Sequence, residues 1–394
     1  MLKIFTFIAV LFFVLSGLSQ EKTSWGTINY PVDVESMETG DLSFLNSDLE
    51  NYNYFCTSEF HRSELAIAQY KKFIKYLIEN KGLDKLVMER PYAYGYLITK
   101  YLQSGDTILL RAATDEFWSF DKFKMEDEVS HDAFSLFSWL YQYLQERNET
   151  IEVVGIDVNQ SLHGTIELYT LLSLVDSYDI SDFFPKTYQQ LQELENLDKP
   201  ALGKLKSWLY DFKEEFKSGE RDIKEKLEKD FTHFQQTIIA IDDLLIYGNG
   251  SRKGKKHREE TMVRNFKNQV APEDVIYAQF GAGHIAIGEL PNFSGFMAML
   301  QKEDDYANRT LSISIHCIKC QLGESTTAFK PYILFEDGSG YWWSDSAYTL
   351  NEAGEEKKML IDQLNQTDMA IDFRDATKPF DYVKNRFQYV IILF

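Results

Sequence analysis

The sequence is poor in cysteine, short of positive charge and, after its first twenty residues, without long apolar runs. Three cysteines in 394 residues are too few for a disulfide scaffold. Cys317 and Cys320 ("CIKC") could pair or remain two thiols at a strand end, and Cys56 reads as core. No histidine follows Cys320, so the covalent haem signature is missing. With 41 Lys and Arg against 61 Asp and Glu, the net charge is -20. That balance argues against nucleic acid and against anionic membrane surfaces, since both need a basic face. No segment is long and apolar enough to span a membrane. The chain has no Gly-x-Ser-x-Gly elbow, no P-loop and no His-Glu-x-x-His, which disfavours ordinary serine hydrolases, P-loop enzymes and zincins. Internal repeats and low-complexity tracts are missing too.

What is present begins with a leader. "MLKIFTFIAVLFFVLSGLSQ" has Lys3, an apolar stretch from Ile4 to Leu15, and small residues Gly17 and Ser19. This is the pattern of a secretory signal peptide. No cysteine follows it, so a lipid anchor is not expected. The expectation is a secreted or periplasmic protein, cleaved near Ser19, with residues 1–19 as signal peptide. A hydrophobic content of 44% with 15% aromatics permits a sizeable core.

Residues 21–50 read as an ordered lead-in. From residue 51, strands and helices alternate: "YNYFCTSE" is a strand, and "SELAIAQYKKFIKYLIENKG" is an amphipathic helix stopped by Gly82. "KLVME", "IEVVGID", "VIYAQFGAGH" and "TLSISIHCI" are further strands. Such alternation predicts an α/β fold, a mostly parallel sheet with flanking helices. Residues 181–250 carry no strand signal. Leu227, Phe231, Phe234, Ile238, Ile241 and Leu245 recur at spacings of three and four, predicting one face of a long helix. With its partners "YQQLQELENL" and "ALGKLKSWLYDFKEEFKSG", this segment is expected to be a helical insertion whose aromatic stripe is bundle core. It would divide the α/β core into residues 20–180 and 251–394. A last helix over about 352–365 and two closing strands are expected at the C-terminus.

The chemistry gathers at strand ends. The first strand ends in Glu59 and His61, the second in Glu89 and Arg90, the third in Asp157, and the fourth runs through two glycines into His284. In open α/β sheets the ligand crevice lies outside the carboxyl ends of the strands. Four strands delivering Glu, His, Glu, Asp and His to one edge therefore nominate a site. In "RKGKKHREETMVRNF", Arg252 to Lys256 read as a solvated loop, while Arg258 opens a helix and could hold a substrate carboxylate or carbonyl. Glu259 and Glu260 fit the acid bias of a helix start. Two histidines with two or three carboxylates admit two chemistries: a His acting as general base on water, or the same groups ligating a divalent metal that activates it. Spacing does not separate them. His131, His163, His233, His257 and His316 have no matching partners and read as surface or core.

"SEFH", "VMER", "FSWLYQYLQERNETIEVVGID", "HREETMVRNFKNQV" and "VIYAQFGAGHIAIG" fall in the order seen in the erythromycin esterase-like family, which this chain resembles over residues 50–290. That family sits in a wider group with the ChaN-like haem-binding proteins and the Tiki metalloproteases. The resemblance implies His61 as general base, Glu89 and His284 completing the water-activating set with Glu59 nearby, and Asp157 and Arg258 as support. Ser58 and Arg62 replace the glycines that flank the family's first motif. Arg62, with Arg90 and Arg258, would oppose the carboxylates and keep His61 neutral. The implied activity is hydrolysis of an ester or lactone of a small-molecule substrate. No cofactor is required, with a divalent metal or haem left open. The ChaN-like alternative is a non-catalytic haem or iron-ligand binder, and a metal-dependent hydrolase is the third reading. Sequence does not give the oligomeric state.

Overall fold

The computed structural model describes residues 28–33, 36–58, 64–115, 128–160, 163–197, 200–248, 252–289, 294–317, 368–376 and 385–393. The expected leader, Glu59, His61, Arg62, Cys320 and the helix expected at 352–365 lie outside them. So do the side chains of His316 and Cys317.

Eight strands form one sheet: β1 (Ile28–Pro31), β2 (Tyr54–Ser58), β3 (Lys85–Pro91), β4 (Glu152–Asp157), β5 (Ile276–Phe280), β6 (Thr310–Cys317), β7 (Met369–Asp372) and β8 (Tyr389–Leu393). Their spatial order is β1-β7-β8-β6-β2-β5-β3-β4. The run from β8 to β4 is parallel throughout, and β7 is antiparallel to both β8 and β1. The fold is therefore α/β with a mostly parallel sheet. Eleven helices accompany the sheet among the described residues: α1 (Glu64–Asn80), α2 (Tyr92–Ser104), α3 (Thr107–Asp115), α4 (Glu128–Arg147), α5 (Thr165–Ser177), α6 (Tyr188–Glu195), α7 (Leu202–Leu227), α8 (Phe231–Tyr247), α9 (Arg252–Gln269), α10 (Ala282–Ile285) and α11 (Phe296–Leu300).

Alternation sorts each strand's side chains between two cores. Phe55, Leu86, Val153 and Tyr277 face α1, α2 and α4, while Tyr54, Val87, Val154 and Ala278 face α9 to α11. Every residue of β2 and β5 is buried, as expected of strands covered on both faces. Helix α1 lays Tyr70, Phe73, Ile74 and Leu77 into the first core. It stops where Gly82, at φ +79°, turns its N–H back onto the Leu77 carbonyl at 3.0 Å.

Between β4 and β5 the described residues are helical or irregular. Helices α5 to α8 enclose a third core in which Phe184 stacks on Phe212 at 4.4 Å between ring centroids. The expected stripe is buried there, but not on one helix. Helix α7 ends at Leu227, a short 3-10 turn spans Glu228–Asp230 with Glu228 at φ +46°, and α8 starts at Phe231. Periodicity carries through the turn because both helices present their apolar faces to the same core.

Three other expectations change. Arg252 to Lys256 are not a loop, because α9 begins at Arg252; Lys and Arg are good helix formers. Arg258 thus sits in the second turn. The fourth strand stops at Phe280 instead of running through the glycines, and His284 is carried by the short α10. The lead-in contributes a strand, β1, and α3 adds a helix that the pattern did not announce.

The outer edge of the sheet, β4, is sealed by side chains. Thr99 Oγ1 donates to the Val153 carbonyl at 3.1 Å and accepts from the Val153 N–H at 2.8 Å. Gln269 donates to the Gly155 carbonyl at 3.1 Å and Asn265 to that of Ile156 at 3.0 Å. These bonds answer the unpaired backbone groups that make an edge strand a hazard. Helix α2 lies so close that a Cβ on Gly95 would stand 2.3 Å from the Gly155 nitrogen.

Candidate active site

Glu89 near the end of β3, Asp157 at the end of β4, Arg258 and Glu259 on α9, and His284 on α10 converge at the carboxyl edge of the sheet. Arg258 is the hub. Its Nε donates to Asp157 Oδ1 at 2.8 Å, and its Nη2 to Asp157 Oδ2 at 2.6 Å and to Glu89 Oε1 at 2.5 Å. The other oxygen of Glu89 accepts the Gly281 N–H at 3.1 Å. His284 stands between two carboxylates, with Nδ1 3.1 Å from Glu259 Oε2 and Nε2 3.6 Å from Glu89 Oε1. The first distance is a hydrogen bond and the second an ion-pair contact.

Helix α9 sets this geometry. Arg258, Asn265 and Gln269 are seven and four residues apart and share a helix face. The last two are bonded to the backbone of β4, which fixes where Arg258 meets Asp157. Asp243 on α8 braces the same helix from outside, pairing with Arg264 and standing 3.4 Å from His257 Nε2.

The electrostatics follow from burial and neighbours. Burial works against charge on His284, but Glu89 and then Glu259 outweigh it and push the imidazole up to about 9. Burial likewise opposes charge on Glu89, yet His284, Arg258 and the Gly281 N–H hold its carboxyl well below the usual range. Arg258 is raised by Asp157 and Glu89 against the cost of burial. At neutral pH the cluster holds an imidazolium and a guanidinium against the ionised carboxylate of Glu89.

Of the residues nominated from sequence, Glu89, Asp157, Arg258 and His284 share this cluster. Arg90 does not: it is hydrogen-bonded to the Tyr94 hydroxyl, in the core on the α1 side of the sheet. Glu59, His61 and Arg62 lie outside the described residues. Arg258 spends its Nε and Nη2 on Asp157 and Glu89. Sequence reasoning missed Glu259, assigned to a helix start that lies two turns earlier, and it missed Asn265 and Gln269. Their helical spacing from Arg258 was the signal. Among the described residues no group of three or more His, Cys, Asp or Glu side chains is placed to hold a metal ion.

No protein-family model matches the chain, and no curated protein matches it in sequence. Solved structures do match. A Bacillus cereus protein superposes with a TM-score of 0.66 at 14% identity, covering 93% of this chain and 94% of its own. A mutant of the erythromycin esterase EreC in its open conformation superposes with a TM-score of 0.62 at 12% identity, covering 92% and 96%. The chain shares its fold with an erythromycin esterase. A succinoglycan biosynthesis protein matches over 73% of this chain and 72% of its own, with a TM-score of 0.50 at 16% identity. At these identities the likeness to the esterase is one of fold.

Proposed function

We propose that this chain is an exported hydrolase that cleaves an ester or lactone of a small molecule with an activated water at the carboxyl edge of the sheet. One observation carries the reading: a partly buried imidazole held between two carboxylates, with an arginine bound into the same cluster, in the fold shared with an erythromycin esterase. Strongly perturbed titratable groups in a crevice mark functional sites.

Roles follow from protonation. His284 is charged at neutral pH and is therefore the acid of the site. It stabilises negative charge on the carbonyl oxygen as water adds, then gives its proton to the departing alkoxide. The base that takes the proton from water is assigned to His61, with Glu59 beside it. Glu89 and Glu259 hold the His284 ring in place and keep it protonated. Arg258 and Asp157 hold Glu89.

The test is turnover of a panel of 4-nitrophenyl esters and lactones by the purified chain between about pH 5 and 10. His61→Ala and His284→Asn should each lower kcat/KM by a factor on the order of 100 to 10000, with circular dichroism unchanged. Wild-type rates in both variants, or no turnover of any panel member by the parent chain, would sink the reading.

A further inference from the structure

A buried carboxyl is costly, and its presence calls for an explanation. Glu167, on the first turn of α5, is fully buried and stands outside the His284 cluster. Its Oε2 accepts the Asn159 side-chain amide at 2.8 Å, and its carboxyl also takes its own backbone N–H. Asn159 is buried as well. It lies two residues past Asp157, in the loop that follows β4.

That loop holds Asp157 from behind. Asp157 Oδ1 accepts the Val158 N–H at 2.7 Å, and Oδ2 accepts the Gln160 side-chain amide at 2.8 Å. The same two oxygens take Arg258 Nε at 2.8 Å and Nη2 at 2.6 Å. Each oxygen thus serves the loop and the guanidinium at once, so a shift of the loop turns the carboxylate against Arg258. A bidentate carboxylate–guanidinium pair tolerates little such rotation, because both of its bonds need the two planes aligned. From Asp157 the contacts run on, through Arg258 to Glu89 Oε1 and from Glu89 to His284 Nε2 at 3.6 Å. Protonated or ionised, the Glu167 carboxyl keeps an oxygen for the Asn159 amide. The tie therefore holds on both sides of its raised pKa, about 7.

We propose that Glu167 is a positioning residue of the site: through Asn159 it holds the loop that presents Asp157 to Arg258, and so fixes Glu89 beside His284. Helix α9 places Arg258 from one side, by Asn265, and α5 places Asp157 from the other. The assignment rests on the hydrolase reading for its kinetic readout, and the titration of His284 in the substrate-free protein tests it apart from that reading.

Glu167→Leu removes the acceptor, and Asn159→Ala removes the donor. Each should lower kcat on the best 4-nitrophenyl ester or lactone about tenfold or more, with KM within about twofold, as a misplacement remote from the chemistry does. In the substrate-free variants the C2–H titration of His284 by NMR should move to lower pH. Arg258 already opposes the charge on His284, and without Asp157 to match it that opposition grows. The double variant should be no worse than the more affected single, since both changes cut one bond. Glu167→Gln keeps an oxygen for Asn159 and should restore kcat and the titration to those of the parent. A merely structural carboxyl would lower Tm in Glu167→Leu and leave the titration in place. That result, or a shift in Glu167→Gln as large as in Glu167→Leu, overturns the assignment. If Glu167→Leu does not fold, Asn159→Ala carries the same test. If the parent turns over no ester or lactone, the hydrolase reading has failed and the titration alone decides. A shift in Asn159→Ala that is missing in Glu167→Gln then supports the positioning role, and no shift in Asn159→Ala overturns it.

Discussion

His284 and Glu167 show how far burial and neighbours move a single titratable group, in two opposite settings. His284 has its charged form favoured. Its folded pKa, about 9, lies above the ordinary value, so the stability it contributes is complete below about pH 6.5 and is lost as pH rises through 9. The same window governs its proposed role as acid. Glu259→Gln removes one of the two carboxylates that keep the imidazolium, so the alkaline limb of the pH–rate profile should move to lower pH. The C2–H titration of His284 by NMR should move with it; an unmoved limb and titration would remove Glu259 from the site. Glu167, on the first turn of α5, is fully buried, with Oε2 accepting from Asn159 at 2.8 Å and Oε1 unpartnered among the described residues. Burial pushes its carboxyl up to about 7, against the pull of the Asn159 hydrogen bond. Here the raised pKa belongs to an acid, so the protonated native state loses stability as pH rises from about 4.5 through 7. Glu167→Gln keeps an acceptor for Asn159 without the charge. It should raise stability by on the order of 1–3 kcal/mol at pH 8 and by little at pH 4, measured by urea unfolding. A gain of equal size at both pH values would contradict the burial argument.

At the scale of elements, the placing of Arg258 depends on α9 being pinned to β4. Asn265→Leu leaves the Ile156 carbonyl buried without its donor, at a cost of about 1–3 kcal/mol. It should also lower kcat more than KM, because Arg258 loses its register against Asp157 and with it the position of Glu89 and His284. A fall confined to KM would show that α9 contacts substrate rather than positioning the cluster. The other seal, Thr99, satisfies both backbone groups of Val153. Gly95 is constrained harder still: its added Cβ would stand 2.8 Å from the Val153 carbonyl oxygen as well as against the Gly155 nitrogen. Both obstacles are backbone and cannot swing away. Gly95→Ala should therefore destabilise by more than about 3 kcal/mol, read as insoluble expression or a Tm many degrees lower, and a variant with the parent's Tm would mean that α2 does not press on β4.

For the whole molecule, the competing chemistries divide on simple additions. An imidazolium has no lone pair to offer iron, so a His284 kept charged by Glu89 and Glu259 is poorly suited to be an axial haem ligand. Titration with haem should accordingly give no shifted Soret band that depends on His284, and such a band, lost in His284→Asn, would favour the haem-binding alternative. Dialysis against EDTA should leave turnover unchanged. A loss restored by zinc or manganese would move the chemistry to a metal-dependent hydrolase. Helix α8 meets α9 through Asp243 and ends in Tyr247, close enough to Arg258 and Asp157 to feel their charge.

Much of this was legible along the chain. Near-continuous apolar runs named the strands, and alternation with helices named the parallel sheet. That architecture alone requires Glu89, Asp157 and the segment before His284 to emerge at one edge, because parallel strands point the same way. Helix ends were less legible: the polar first turns of α9 carry no periodicity, since charged residues serve a helix and a loop equally well. The break at Glu228 was invisible because the apolar spacing continues through it. Only packing could bring Arg258 to Asp157, 101 positions away, or place Glu259 beside His284. Those contacts follow from the distance between a helix and a sheet, which no local pattern encodes. Protonation belongs to the same class. The sequence supplied an imidazole and two carboxylates; the burial and spacing that make the imidazole a charged acid exist only once the three are brought together.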